Sequence, residues 1–362
     1  MRIVVVGGGI IGLSISREFH KLGYEVVVVD KGEIGKGASW VAGGMLAPQS
    51  EGLEPGIFLD FCLESRDMYQ AFTKEIFVDT GLDVGYWKSG IFCPAFSLEE
   101  KVQLLQKLTM YKNLGLSGEW IDREDLEKRF SSLGEDIVGG VFYPEDAQVD
   151  NRLLMEALTL YCREYNIMAY EHSKVEKIIT SNGKFEAVRT DKNYIDGDVC
   201  ILAAGAWSGE IADIPVFPIK GEMSAVDIKK GELDMVFFSS KAYLIPRKDY
   251  SRLVIGATEE KVGFKDGNTV KGVLKLLNGL IQTFPHMRDR NIQEMWYGYR
   301  PATPDLEPIL GESDIEGLFY ATGHHRNGIL LAPITVKVIT DLIHKREKSE
   351  YLESFSYKRF LK

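Results

Sequence analysis

The sequence predicts an α/β protein: a Rossmann-type nucleotide-binding domain combined with a second, mainly antiparallel α+β domain that takes the substrate. The chain opens MRIVVVGGGIIGLSISREFHKLGYEVVVVD, which reads as a buried strand, a glycine turn, a helix and a second buried strand ending on an acid. Continuous apolar runs near residues 3–6, 25–30, 199–204 and 318–321 have the pattern of strands covered on both faces, as in a parallel sheet. Alternating patterns cluster instead at 82–96 and 216–300, as antiparallel strands do. At 362 residues the chain is long for one domain and comfortable for two. The ordering assigns residues 1–81, 140–215 and 301–362 to the nucleotide-binding domain, and 82–139 and 216–300 to the second.

The opening segment carries the most specific signal. Gly7, Gly9 and Gly12 form GxGxxG directly after a strand, with Ile10 and Ile11 starting the helix. The first glycine permits the tight turn, the second lets backbone approach a pyrophosphate, and the third lets helix and strand pack closely. Asp30, at the end of EVVVVD and followed by Lys31, is placed to accept hydrogen bonds from a ribose hydroxyl. The next segment, DKGEIGKGASWVAGGMLAPQSE, has neither strand nor helix period, and such an irregular stretch beside a nucleotide site is expected to line the cofactor. DVCILAAGAWS is a buried strand ending in small residues, so Ala204, Gly205 and Trp207 are expected close to the ligand.

The remaining elements follow from periodicity. Amphipathic helices are expected from about residue 57 (FLDFCLESRDMYQAFTKEIF), at LEEKVQLLQKLTMYKNLG, at IDREDLEKRF, at NRLLMEALTLYCREYNI and at KGVLKLLNGLIQTF. MAYEHSKVEKIIT reads as a strand and SNGK as a hairpin turn. Near the C-terminus, ATGHHRNGILLAPIT sets polar residues before an apolar helix. Pro333 is tolerated only in a first turn, so that helix is expected to begin near Gly328. Its free N–H groups would favour negative charge.

Composition narrows the function. Net charge is −10, which disfavours nucleic acid and anionic membrane as partners. No apolar stretch reaches the ~20 residues that a membrane-spanning helix needs, and Met1 leads straight into a strand, so no signal peptide is expected. Cys62, Cys93, Cys162 and Cys200 are scattered without a CxxC pair, which fits free thiols in a reducing cytoplasm. His324 and His325 are adjacent and no HxxxH spacing occurs, so no metal site is expected.

Taken together, GGGIIGLSIS, GASWVAGGMLAP, AYLIPRK followed by RLVIGAT, YGYRPATPD and GHHRNGILLAPIT resemble the D-amino acid oxidase family of flavoproteins, on its glycine oxidase branch. The resemblance runs from residue 3 to beyond residue 340. It implies FAD, a two-domain fold, and oxidation of a small amine (glycine, sarcosine or a small D-amino acid) by hydride transfer to flavin. It further implies O2 as acceptor, with imine or glyoxylate, ammonia and hydrogen peroxide as products, a role in thiamine thiazole synthesis, and a homo-oligomer with a tetramer as one candidate.

By position, the resemblance makes Arg300 the arginine that pairs with the substrate carboxylate and Tyr243 the tyrosine that hydrogen-bonds it. Arg326 becomes an arginine beside the flavin and the substrate, Met45 a lining residue of both sites, and Val175 the adenine contact. Ala38, Ser39, Gly43 and Gly44, together with His325, Asn327, Gly328, Ile329 and Leu330, join the cofactor set. Lys241 and Ala302 depart from the family pattern, which holds a histidine and a glycine there. Val41 stands where relatives attach flavin through histidine, and Cys200 is the last cysteine, so the FAD is expected to be non-covalent. No general base stands out, and hydride transfer needs none if the amine arrives neutral. Positioning of Cα–H ~3–3.5 Å from the acceptor then carries the catalysis. Two other readings stay open: a flavin-linked dehydrogenase that passes electrons to a quinone or carrier, and a nucleotide-binding protein without turnover.

Overall fold

Residues 1–130 and 132–361 are described by the computed structural model. The strand Arg2–Val6 pairs in parallel with Glu25–Val29 on one side and Val199–Leu202 on the other. The six-stranded sheet continues through Leu318–Thr322 to the edge strand Ile309–Glu312, and through Glu25–Val29 to Met168–Tyr170. All its pairings are parallel except that of Ile309–Glu312 with Leu318–Thr322. The four apolar runs thus fall in the central strands. Helices Ile10–Lys21, Ile57–Thr80, Asn151–Glu164 and Ala332–Thr340 bury Leu13, Phe61, Leu154 and Ile334 in a core on one face. A three-stranded antiparallel sheet, Val175–Ser181, Lys184–Thr190 and Tyr194–Asp196, packs on the other, with Phe185 and Val188 against Val4 and Val6. Its first hairpin turns at Asn182 and Gly183, both with positive φ.

The second sheet has eight strands in the order Ile292–Ala302, Phe217–Val226, Leu253–Gly256, Tyr243–Pro246, Val236–Phe238, Ile91–Ala95, Gly139–Tyr143, Glu119–Asp122. Its pairings are antiparallel except between Val236–Phe238 and Ile91–Ala95. The long pair is in register at Ile219↔Arg300 and Gly221↔Gly298, which fixes where Arg300 emerges. Helix Val270–Thr283 covers one face through Leu276 and Leu280. Its N-terminus is fixed by the Thr269 side chain, which accepts from the Gly272 N–H.

Several expectations change. Gly139–Tyr143 belongs to the second sheet, because its partner is Ile91–Ala95, so residues 140–143 leave the first domain. Pro301 and Ala302 likewise extend the antiparallel strand and pair with Pro218 and Phe217. MAYEHSKVEKIIT is two strands in two sheets, broken where His172 takes positive φ. Within 82–96 the only strand is Ile91–Ala95. The irregular segment after Asp30 holds a short helix, Ala38–Val41, and a two-residue strand, Met45–Leu46. The C-terminal helix starts at Ala332, four residues later than expected, with Pro333 in its first turn. Residues 328–331 form turns ahead of it, and the Leu331 N–H already reaches the Asn327 carbonyl at 2.8 Å. Among the described residues no helix is long and apolar enough to cross a membrane.

Candidate active site

A cavity of about 840 Å³ lies where the carboxyl ends of the parallel strands meet the second sheet. Ligands of open α/β sheets bind at such a crevice, at the point where the strand order reverses. Here that point is Arg2–Val6, whose neighbours Glu25–Val29 and Val199–Leu202 lead the chain to opposite sides.

The glycine loop is shaped by close backbone approach. Gly7 has φ +114, and a Cβ there would meet the Ala203 carbonyl oxygen at 2.3 Å; a Cβ at Gly12 would meet the Gly7 carbonyl oxygen at 1.8 Å. At Gly9 the nearest atom is Ser39 Oγ, 3.2 Å away, so this face of the loop is open to the cavity. Ser39 Oγ accepts the Ile10 N–H at 2.9 Å, which fastens the irregular segment to the helix start. Asp30 accepts the N–H groups of Gly8 (2.7 Å) and Gly32 (2.8 Å) while its carboxylate lines the cavity. The buried Arg247 fixes the rest of the segment. It donates to the Gly43 carbonyl (3.0 Å), the Val149 carbonyl (3.2 Å) and Asn151 Oδ1 (2.7 Å), and Asn151 in turn holds the carbonyls of Ser39 and Trp40. At this end Lys31 Nζ sits 3.2 Å from the centre of the Trp207 ring, and Phe264 stacks on Trp207.

The other end is built on the second sheet. The Arg300 guanidinium lies over Gly221, where a Cβ would come within 2.5 Å of Nη1, and it donates one hydrogen bond to the Thr258 carbonyl at 3.0 Å. Among the described residues no carboxylate pairs with it. The Tyr243 ring lies over Gly256, where a Cβ would come within 1.9 Å of Cε2, and its hydroxyl faces Met223 Sδ at 3.6 Å. Burial raises the Tyr243 phenol above its usual value, with Arg300 opposing, so the hydroxyl stays a donor at neutral pH. A half-buried guanidinium without an acid, beside a phenol donor, has the chemistry to receive a small carboxylate.

Between the two ends stands Glu51. Its side chain is 6% exposed; Arg326 Nε lies 3.5 Å from it, and Arg326 itself is 44% exposed. With the Asn327 amide nitrogen turned toward the carboxylate, it donates to both oxygens at 3.2 and 3.3 Å. Arg326 is therefore already paired with a protein acid, unlike Arg300. His325, with φ +47, donates its backbone N–H to the Pro301 carbonyl, and its Nε2 is buried without a partner among the described residues. Burial lowers both His324 and His325 to about 3, so both are neutral in the native state.

That depression has a testable consequence. Each histidine binds a proton in the unfolded chain below pH ~6.5 but not in the folded one. Its stability contribution is therefore complete above that pH and is lost as pH falls toward 3. Replacing His324, whose Nε2 lies 3.1 Å from Thr335 Oγ1, by Gln should flatten the fall in urea-unfolding free energy between pH 6 and 4 by about 1.4 kcal/mol per pH unit. Parallel curves for variant and wild type would show that the residue titrates normally.

Of the residues singled out from the sequence, Gly7, Gly9, Ile10, Ile11, Asp30, Lys31, Ala38, Ser39, Gly43, Gly44, Met45, Val175, Ala204, Gly205, Trp207, Tyr243, Arg300, His325, Arg326, Gly328 and Ile329 all line this cavity. Gly12, Asn327 and Leu330 do not. Gly12 acts by packing on Gly7, Asn327 holds Glu51, and the buried Leu330 gives its carbonyl to the Ser65 hydroxyl at 2.6 Å. Sequence reasoning missed Glu51, Met223, Phe264 and Asp266, which also line the cavity. For Glu51 there was a signal, an acid closing the irregular glycine-rich segment; Met223 and Phe264 carried none.

The fold and the site define a nucleotide-binding protein whose cavity ends at a guanidinium without an acid partner among the described residues, and comparison with known proteins places it further. Residues 2–342 match the family described as FAD dependent oxidoreductase (DAO), and the chain belongs to that family. It is 38% identical over 99% of its length to a bifunctional ThiO/ThiG protein of Synechocystis, and it spans about half (54%) of that relative. It is 31% identical to a glycine oxidase of Geobacillus kaustophilus, covering 99% of this chain and 97% of the relative. The crystal structure of glycine oxidase from Geobacillus kaustophilus superposes with a TM-score of 0.94, covering 99% of both chains at 31% identity. The glycine oxidase structure from Bacillus cereus gives 0.91 at 28% identity, covering 98% of this chain and 97% of the other. The protein is thus an FAD-dependent oxidoreductase, as expected from the sequence. Its residues fit that cofactor: a glycine loop with an open face, an acid at the end of the second strand, and the unpartnered buried Nε2 of His325 in the cavity wall.

Proposed function

We propose that the protein oxidises glycine and similarly small amino acids, sarcosine and small D-amino acids included. O2 takes up the electrons, the products are imine (then glyoxylate), ammonia and hydrogen peroxide, and the chemistry serves thiamine thiazole synthesis. One observation carries the reading: Arg300 has no acid partner among the described residues, lies in the cavity wall beside Tyr243, and is fixed in place by Thr258 and Gly221. The glycine oxidase relatives, covered almost end to end, support the same substrate class.

Bound FAD supplies the two-electron acceptor. Gly7, Gly9, Asp30, Lys31, Val175, Ala204, Trp207 and the turn at His325–Ile329 hold it in this reading, without a covalent bond, since none of the four cysteines lines the cavity and position 41 is valine. Arg300 grips the substrate carboxylate through parallel N–H groups and so fixes its direction as well as its affinity. Tyr243 donates to the same carboxylate. Met45 and Met223 give the pocket an apolar wall. Orientation of this kind accounts for much of a barrier reduction that needs no covalent intermediate. The first sheet and its helices form the cofactor domain and the second sheet the substrate domain, with the boundary moved to take in Gly139–Tyr143 and Pro301–Ala302. The four buried, free thiols suit a cytoplasmic setting, and the assembly is a homo-oligomer.

Purified protein should be yellow and bleach under nitrogen on addition of glycine, then recolour in air with release of peroxide. Bleaching without peroxide in air would instead indicate a dehydrogenase that uses another acceptor. A colour that no small amino acid bleaches would rule out the amine-oxidase reading altogether.

A further inference from the structure

The hydride mechanism needs a neutral amine, while a free amino acid at neutral pH carries an ammonium group. The cavity wall includes the carboxylates of Asp30, Glu33, Glu51, Glu210, Glu259 and Asp266. Asp30 holds two backbone amides, Asp266 accepts from Tyr297 and Tyr299, and Glu33, Glu210 and Glu259 are exposed. Glu51 is different. It is nearly sealed from solvent, it lines the same cavity as Arg300 and Tyr243, and its charge is felt by Tyr243 while Arg300 acts on it in return.

Its position is also built. The Glu51 N–H donates to the Ala47 carbonyl at 3.0 Å, closing a turn. The buried Asp146 pins that turn by accepting the N–H (2.8 Å) and the hydroxyl (2.7 Å) of Ser50. Arg66 bridges Gln49 Oε1 (3.1 Å) and Asp146 Oδ1 (3.3 Å) from the helix below. From the C-terminal turn, Asn327 reaches both Glu51 oxygens and Arg326 reaches one. A carboxylate has about four acceptor positions, so these contacts leave capacity for a further donor from the cavity.

We propose that Glu51 accepts one proton from the substrate ammonium group after Arg300 has engaged the carboxylate, making it the proton acceptor of the reaction. The inference rests on the amino-acid oxidase reading above. An N–H bond breaks and an O–H bond forms on Glu51. The freed lone pair becomes the second bond of C=N as the Cα hydrogen leaves with its two electrons for the bound FAD, and Glu51 later returns its proton to water. Burial raises the Glu51 carboxyl above its usual value; Arg326, the Asn327 amide and Arg300 oppose this, and Asp146 adds to it. The other titratable groups around it, Tyr243, Cys62 and Tyr111, have raised values and stay neutral.

The test is the rate of anaerobic flavin reduction by limiting glycine, measured in the holoenzyme across pH. With Glu51 as acceptor, the wild type is flat between the carboxyl's raised pKa and that of the amine. Glu51→Gln can use only the free amine, so its rate falls about tenfold for each pH unit below the amine pKa, while Glu51→Asp keeps the flat region. A wild-type profile that itself falls tenfold per unit over this range overturns the proposal and needs no variant, as does a Glu51→Gln profile parallel to the wild type. Acetate, a carboxylate without an ammonium, provides a readout separate from turnover through its shift of the flavin absorbance. It should bind Glu51→Gln as tightly as the wild type or more so; a tenfold loss would show that Glu51 only keeps the Arg300 clamp in shape. Failure of glycine to bleach the wild type at any pH would instead sink the amine-oxidase reading, before Glu51 is in question.

Discussion

Arg300→Met is expected to lower kcat/KM for glycine roughly 10³-fold, the equivalent of about 4 kcal/mol, because removing one partner of a desolvated, hydrogen-bonded charge pair typically costs 2–5 kcal/mol. Most of the effect should appear in binding, with part in kcat, since the guanidinium orients Cα–H as well as holding the carboxylate. The fold should tolerate the change, for Arg300 donates to the Thr258 carbonyl and sits beside the Tyr243 hydroxyl without pairing an acid among the described residues, and its guanidinium lies over a glycine rather than a packed side chain. Arg300→Lys should recover only part of the loss, because a point charge cannot reproduce the planar fork. A primary amine without a carboxylate provides the internal comparison: its slow oxidation should hardly differ between wild type and variant. Equal losses for both substrates, or a loss below tenfold for glycine, would mean that the carboxylate is held elsewhere.

Gly12→Ala is expected to abolish tight cofactor binding while leaving a weakened fold. The added Cβ would lie 1.8 Å from the Gly7 carbonyl oxygen, a backbone atom that cannot rotate away. Relief requires the helix Ile10–Lys21 to move off the strand Arg2–Val6, which shifts the N–H groups of the glycine loop. Overpacking of this kind costs about 1–3 kcal/mol in stability. Its cost to cofactor binding should be larger, because hydrogen bonds to an anion at a helix start depend on direction as well as distance. Flavin content after purification and the dissociation constant from fluorescence titration give the readout. Retention of stoichiometric flavin with a wild-type melting temperature would show that the close contact is not needed to shape the loop.

The N-terminal unit was legible because its rules are local. The apolar run at Ile3–Val6, the spacing of Gly7, Gly9 and Gly12, and Asp30 at the end of the next strand each follow from backbone sterics within thirty residues, and each occupies the expected place. Helix positions from periodicity fared similarly, as Ile57–Thr80 and Asn151–Glu164 show. The assignment of Gly139–Tyr143 failed because a buried strand reads the same in either sheet; only its pairing with Ile91–Ala95 distinguishes them. The start of the last helix was misjudged because residues 328–331 share its apolar pattern while forming turns that bring Gly328 and Ile329 to the cavity wall.

Sequence by itself determined the class of fold and the nucleotide loop, since both depend on residue type and short spacing, while Arg300 was singled out for a carboxylate by the family resemblance of YGYRPATPD. Only the tertiary structure decided that Arg300 is without an acid partner among the described residues while Arg326 is not, and that Glu51 joins them in one cavity. Those facts bring together residues up to 275 positions apart, Glu51 and Arg326 being the extreme pair. The physical reason is that a side chain's charge state and partners are set by what surrounds it in space, and burial and pairing between distant segments leave no periodicity in the chain to read.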